Sequence, residues 1–142
     1  MKILLNNETL HKTLKPFDNI GFVPTMGGIH EGHISLINKS IKYANKTIVS
    51  IFVNPKQFNN KRDFISYPSN IKNDLAILKK IPKIDFIYIP KLKDIYESKD
   101  KSKIVIKKSD KILCAKFRKG HFEGVLDVMD KLTNLIKPKK IF

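Results

Sequence analysis

The sequence predicts a doubly wound α/β domain built on a parallel sheet. Three observations predict it: short apolar runs that are continuous instead of alternating, stretches of 3.6-residue spacing between them, and a glycine turn at the first strand-to-helix junction. A chain of 142 residues suits one domain, and at that size roughly two-thirds of the surface exposed by the unfolded chain can be buried. Hydrophobic residues make up 42% and charged residues 29%, a balance that supports a packed core and excludes a disordered polymer.

Ile20-Gly-Phe-Val23 follows a turn signal at Asp18-Asn19 and precedes Pro24, so it reads as a buried strand. From Gly32 the spacing becomes helical, with Ile34, Ile37, Ile41 and Ala44 on one face and Lys39, Lys42 and Asn45 on the other, and the helix ends near Asn45. Ile48 to Val53 is a second buried strand, stopped by Asn54-Pro55. After a polar loop through Asn59 to Asp63, a helix is predicted over Ile71 to Lys80, capped by Ser69 or Asn70, with Ile71, Leu75 and Leu78 inward. Ile84 to Ile89 is a third strand. Beyond Pro90 come a polar stretch, a short alternating strand near Lys103 to Lys107, and a helix over Glu123 to Ile136 that Pro138 ends. Val125, Met129, Leu132 and Leu135 or Ile136 are its expected buried positions. Alternating strands and helices imply right-handed crossovers; the sequence shows neither an internal repeat nor a linker.

The formal net charge of +15 invites a nucleic-acid reading. Of the 28 basic residues, however, only Arg62 and Arg118 are arginines, and the lysines are scattered. The lysine-rich stretches lack the arginine forks and interleaved aromatics of base recognition, so solvated lysine faces are expected and no nucleic-acid partner. Cys114 stands alone and no apolar run resembles a signal peptide or a membrane span, so a cytoplasmic protein without a membrane partner is expected.

Ligands of open α/β sheets bind beyond the carboxyl ends of the strands, which directs attention to the turns after Val23 and Val53. The first reads P-T-M-G-G-I-H-E-G-H from Pro24 to His33. Its glycines would let the backbone approach a phosphate, and the following helix offers N–H groups and a positive dipole end. That dipole contributes only about 0.3–1 kcal/mol toward an anion, so the rings of His30 and His33, one helical turn apart, would have to add donors. A lone histidine at a helix start is ordinarily a cap or a surface residue. The H-x-G-H pattern after a strand and glycine turn shows no packing purpose in sequence and reads instead as phosphate binding. A metal site is not indicated, since Glu31 is the one acid beside the two histidines and the spacing is not H-E-x-x-H. The second turn, N-P-K-Q-F, puts Asn54 and Gln57 beside the same cleft, where a neutral amide can hold a small hydroxy acid by donor and acceptor together.

These pieces, with Y-P at Tyr67-Pro68, Asp74, I-Y at Ile95-Tyr96 and R-K-G-H-F-E-G-V from Arg118 to Val125, occur in the order and spacing of one family. The sequence resembles the pantothenate synthetases, Rossmann-like enzymes of the H-x-G-H nucleotidyltransferase type, along essentially its whole length. The resemblance implies ATP-dependent condensation of pantoate with β-alanine through a pantoyl adenylate, releasing AMP and pyrophosphate. It implies that Met26, Gly27, Gly28, Ile29, His30, Glu31, Gly32 and His33 bind ATP, with His33 as proton donor beside His30. Gln57 would contact pantoate and β-alanine, and Pro24, Thr25, Met26 and Asn54 would line the pantoate pocket. His121 is implied near pantoate or a phosphate, and Asp74 near ATP and Mg²⁺; the alternative for Asp74 is a helix-surface carboxylate paired to lysine. Lone His11 is expected to face solvent.

Family members continue past Lys140-Ile-Phe142 into a strand followed by G-E-K-D and Q-Q, then a C-terminal domain that usually dimerises. The expectation is therefore an N-terminal ATP- and pantoate-binding domain over residues 1–142, truncated before its last strands and inactive or nearly so alone, within a homodimeric full-length protein. Ser69, Glu97 and Lys119 depart from the family's usual Arg, Pro and Pro or small residue. The rival expectations are another H-x-G-H nucleotidylyltransferase, and a non-catalytic basic remnant that binds through its lysines.

Overall fold

In the computed structural model, which describes residues 1–96 and 121–142, the strands β1 (Lys2–Leu4), β2 (Ile20–Thr25), β3 (Lys46–Ile51), β4 (Phe86–Tyr88) and β5 (Lys140–Ile141) form one sheet in the order β1-β4-β3-β2-β5. Every pairing among them is parallel. Among the described residues the helices are α1 (Asn7–Leu14), α2 (Glu31–Tyr43), α3 (Lys61–Ser66), α4 (Ile71–Lys79), α5 (Leu92–Tyr96) and α6 (His121–Ile136), with a 3₁₀ turn at Pro55–Gln57. The predicted strand near Lys103 to Lys107, along with Cys114 and Arg118, lies outside the described residues.

Alternation along the strands explains why their apolar runs are continuous. Phe22, Ile48, Phe86 and Tyr88 point to one face and pack with Leu10 and Leu14 of α1, Ile95 of α5, and Val128, Leu132 and Ile136 of α6. Val23, Val49, Ile51 and Ile87 point to the other, against Ile37 of α2 and Leu78 of α4. Helices thus cover both faces, as the sequence predicts. None of the described helices is long and apolar enough to cross a membrane.

Several boundaries move. The first predicted strand, β2, runs through Pro24 to Thr25 instead of ending before the proline. Backbone carbonyls of Ile20 and Phe22 accept from Lys139 and Phe142 on the β5 side, and Pro24 shares their side of the strand by alternation. The pairing with β5 stops at Phe22, so the N–H that proline lacks is not needed there. Asn70, not Ser69, caps α4. Ile71, inward by the sequence pattern, is 45% exposed, and the inward position of that turn belongs to Asp74. On α6 the buried line is Gly124, Val128, Leu132 and Ile136, whereas Val125 and Met129 are only half-buried, at the mouth of a cavity that Val128 and Leu132 also line.

Gly124 lets α6 cross the 3₁₀ turn at close range. A Cβ there would lie 2.5 Å from the Lys56 carbonyl oxygen and 2.7 Å from Gln57 Cα, and both of those neighbours are backbone. Gly124→Ala is therefore expected to destabilise the chain by about 2 kcal/mol or more through overpacking, measured as a lower urea midpoint at unchanged m-value.

Candidate active site

The turn that leaves β2 is shaped by two glycines with positive φ, Gly27 at +83° and Gly28 at +63°. Behind it lies Asp74, in the first turn of α4 and 1% exposed. Its Oδ2 accepts the Gly28 N–H at 3.1 Å and its Oδ1 the Ile29 N–H at 2.9 Å. A Cβ on Gly27 would lie 2.7 Å from that Oδ2. Both glycines therefore serve the left-handed backbone, and at Gly27 the missing Cβ also admits an internal carboxylate. The surface, lysine-paired alternative for Asp74 is corrected: the side chain is buried and backbone-bonded.

Ile29, 7% exposed, anchors the far end of the turn in the core, and His30 follows as the N-cap of α2. His30 Nδ1 accepts the Gly32 N–H at 3.1 Å, and His33 Nδ1 accepts the His30 N–H at 3.4 Å. This reciprocal arrangement is a capping box made of two imidazoles. The histidines thus have a structural purpose that spacing alone did not disclose. With each Nδ1 an acceptor, these bonds assign the proton of each neutral ring to Nε2. The ring centroids lie 4.1 Å apart. Burial holds the His33 pKa below its ordinary 6.5, the neighbouring His30 lowers it further, and Asp74 partly offsets both.

Beside the turn is a cavity of about 270 Å³ lined by Pro24, Thr25, Met26, His33, Phe52, Gln57, Tyr67 and the α6 residues Val125, Val128, Met129 and Leu132. A second, of about 340 Å³, is lined by Met26, Gln57, Phe58, Asn59, Asp63, Ser66, Tyr67, Pro68 and His121. Met26, Gln57 and Tyr67 border both, and Gln57 Nε2 donates to the Met26 sulfur, so this pair forms the partition. One mainly apolar cavity and one that adds the polar side chains of Asn59, Asp63, Ser66 and His121, with a shared amide, can hold two small molecules side by side.

The partition is held from behind. Asn54, fully buried, accepts through Oδ1 from the Lys56 N–H at 3.1 Å and the Tyr96 hydroxyl at 2.9 Å, while its Nδ2 donates to the Gly124 carbonyl at 3.0 Å. Both ends of its amide are thus engaged within the protein, which corrects the expectation that Asn54 grips a small acid directly. Burial pushes the Tyr96 pKa up to about 12, so this hydroxyl remains a donor at neutral pH. His121 Nδ1 lies 2.7 Å from the Gln57 carbonyl oxygen; a carbonyl can only accept, so Nδ1 carries the proton and Nε2 is the ring's acceptor. Thr25 Oγ1 donates to the Ser50 carbonyl at 2.7 Å.

The structure thus brings Pro24, Thr25, Met26, His33 and Gln57 to one cavity, with His121 on the adjoining one. Gly28, His30, Glu31 and Gly32 are exposed at the turn and helix start, whereas Gly27 and Ile29 are buried. His11 is exposed on α1. Among the described residues no three His, Cys, Asp or Glu side chains cluster as a metal site. Asp63 and the cavity-facing positions of α6 were missed in sequence. For Asp63 the only signal was an acid in a polar loop, and the α6 residues read as ordinary core.

The pantoate-beta-alanine ligase family model matches residues 2–142. A pantothenate synthetase of Endomicrobium trichonymphae is 45% identical over 95% of this chain and 49% of its own length, and one from Pseudothermotoga lettingae is 42% identical over 92% and 46%. In structure the chain is similar to a Francisella tularensis pantoate-beta-alanine ligase complexed with beta-gamma ATP and beta-alanine. The TM-score is 0.92 at 41% identity, with 99% of this chain and 55% of that one covered. A pantothenate synthetase from Thermus thermophilus superposes with a TM-score of 0.90 at 29% identity, covering 99% of this chain and 51% of that one. The chain spans about half the length of the curated relatives it matches.

Because the folded state disfavours the charged His33 ring, the stability it contributes is present above pH 6.5 and is lost as pH falls below that value. An NMR pH titration is expected to place the His33 midpoint below 6.5, and His30→Ala to raise it by removing the neighbouring charge. A midpoint above the ordinary value, or one indifferent to His30, would contradict this geometry.

Proposed function

From the premise that this chain belongs to the pantoate-beta-alanine ligase family, we propose that its cleft activates pantoate with ATP and presents the acyl group to β-alanine. The observation that carries the reading is the convergence of His33 and Gln57 on one cavity from the ends of two adjacent strands. In this reading residues 1–142 are the ATP- and pantoate-holding domain. The remaining half of the relatives' length supplies the rest of the site and the contacts of a homodimer.

ATP lies along Met26 to His33, its phosphates at the start of α2, where helix N–H groups and the histidine Nε2–H donors face negative charge. Pantoate occupies the cavity of Pro24, Thr25, Met26 and Gln57, its gem-dimethyl carbon against Val125, Val128 and Met129. Its carboxylate oxygen attacks the α-phosphorus, the bond to the bridging oxygen breaks, and pyrophosphate leaves. Charge growing on the α-phosphate oxygens is met by donors already fixed by the capping box, so little reorganisation is needed. The amine of β-alanine, approaching from the second cavity beside His121, then attacks the acyl carbon and AMP departs with the electron pair of the acyl–oxygen bond. Holding both reactants in line contributes on the order of 7–11 kcal/mol by proximity, so placement outweighs any strong base. Among the described residues no three His, Cys, Asp or Glu side chains gather into a cage for Mg²⁺, which fits an ion held chiefly by phosphate oxygens and water. It would enter on the nucleotide's phosphates, keep several waters and screen their charge.

In the protein at the relatives' full length, His33→Ala is expected to lower adenylate formation by about 10²–10³-fold with a smaller change in ATP affinity. Gln57→Ala is expected to raise the KM for pantoate and β-alanine together. Pyrophosphate release with a phosphorylated acceptor but not with pantoate would favour a different nucleotidylyltransferase. Binding of nucleic acid with steep salt dependence and no dependence on His33 would favour the basic-remnant reading.

A further inference from the structure

Asp74 and Asp94 are the buried acids among the described residues. Asp94 caps the start of α5, its Oδ2 accepting the Lys91 N–H at 2.8 Å. Asp74 has no such local duty: it reaches 46 residues back along the chain to Gly28 and 45 to Ile29. We infer that Asp74 is a positioning residue whose carboxylate clamps the Gly28 and Ile29 N–H groups and so sets the turn that delivers His30 and His33 to the cleft.

Successive backbone N–H groups turned to one side form a concavity that suits an anion. Here the anion in the concavity is the protein's own, with one N–H to each oxygen at 2.9 and 3.1 Å. The pieces specify one another. Asn70 caps α4 and so puts Asp74 in its first turn, and fully buried Leu78, one turn later, fixes that helix against the sheet. Gly27 must lack a Cβ because Oδ2 occupies its place. Ile29 then ties the turn to the core, leaving His30 the next residue out. A carboxylate 1% exposed with each oxygen taken by an N–H is ill suited to ligate a metal ion, and phosphate must find its donors one step farther on, at the start of α2. Only the purpose of the clamp rests on the proposed function, so the clamp is testable without nucleotide.

The experiment uses the labelled 142-residue chain in NMR. Through-hydrogen-bond couplings are expected from the Gly28 and Ile29 nitrogens to Asp74 Cγ, and titration with magnesium chloride alone is expected to leave those amides and that carbon unshifted. In Asp74→Asn the amide nitrogen cannot accept, so one of the two N–H groups loses its partner and exchanges with solvent about tenfold faster or more. The His30 and His33 rings then lose their single Nε2–H tautomer, while methyl signals of the sheet core stay in place; a residue that merely stabilised α4 would not alter ring tautomers. The inference is overturned if Mg²⁺ shifts Asp74 Cγ and frees the two N–H groups. It is equally overturned if the variant keeps wild-type exchange and tautomers. Should Asp74→Asn fail to fold, the wild-type couplings and the Mg²⁺ titration decide. Absence of ATP binding would count against the proposed function and leave these signals untouched.

Discussion

The parallel register of β2 with β3 places Pro24 opposite Ser50 and Thr25 opposite Ile51, so the two strands end at one level and their turns open together. The Phe52 N–H donates to the Thr25 carbonyl at 3.0 Å, the last rung before the chains part. One chain then enters the glycine turn and α2; the other enters Asn54 and the 3₁₀ turn. A slip of one residue would invert the strand's faces and carry Pro24 and Thr25 away from Gln57. The continuous apolar runs that make both strands buried are thus also what brings His33 and Gln57 to a single cavity.

Around that register, polar side chains are used as frame before they are available as chemistry. Asn54 joins a strand end, a 3₁₀ turn, α5 and α6 through one amide. His121 holds the Gln57 backbone, and the two histidines of the H-x-G-H pattern cap the helix they begin. A group whose acceptor nitrogen is taken by backbone has a defined tautomer, so the donor it can offer a ligand is fixed before the ligand arrives. Preorganisation of this kind favours a developing charge over a ground-state one.

Much of this was legible in sequence, because it depends on period and on residue type at strand ends. The three longer apolar runs, the α2 face and the α6 helix follow from spacing, and the strand ends located the H-x-G-H and N-P-K-Q-F turns, to which the resemblance added roles. Strands β1 and β5, of three and two residues, are too short to carry a period, and α1 and α3 are held by caps at Asn6 and Asn60 within polar stretches. The helical pattern places Ile71 inward, yet the turn it occupies is oriented by a long-range polar contact from Asp74. Val125 and Met129 satisfy the helical pattern of a core face equally well whether they meet side chains or a cavity, and Asn54 looks the same in sequence whether its partners are ligand or backbone. Such distinctions rest on contacts between distant residues, which no local pattern encodes.

In the proposed reaction the carboxylate of pantoate, held beside His33 and Gln57, attacks the α-phosphorus of ATP. Pantoate carrying ¹⁸O in both carboxylate oxygens tests it directly in the protein at the relatives' full length, with ATP and β-alanine present. One ¹⁸O is expected in the AMP released and one in the amide product, because the acyl–oxygen bond breaks in the second step. AMP free of label, or label found in inorganic phosphate, would contradict it.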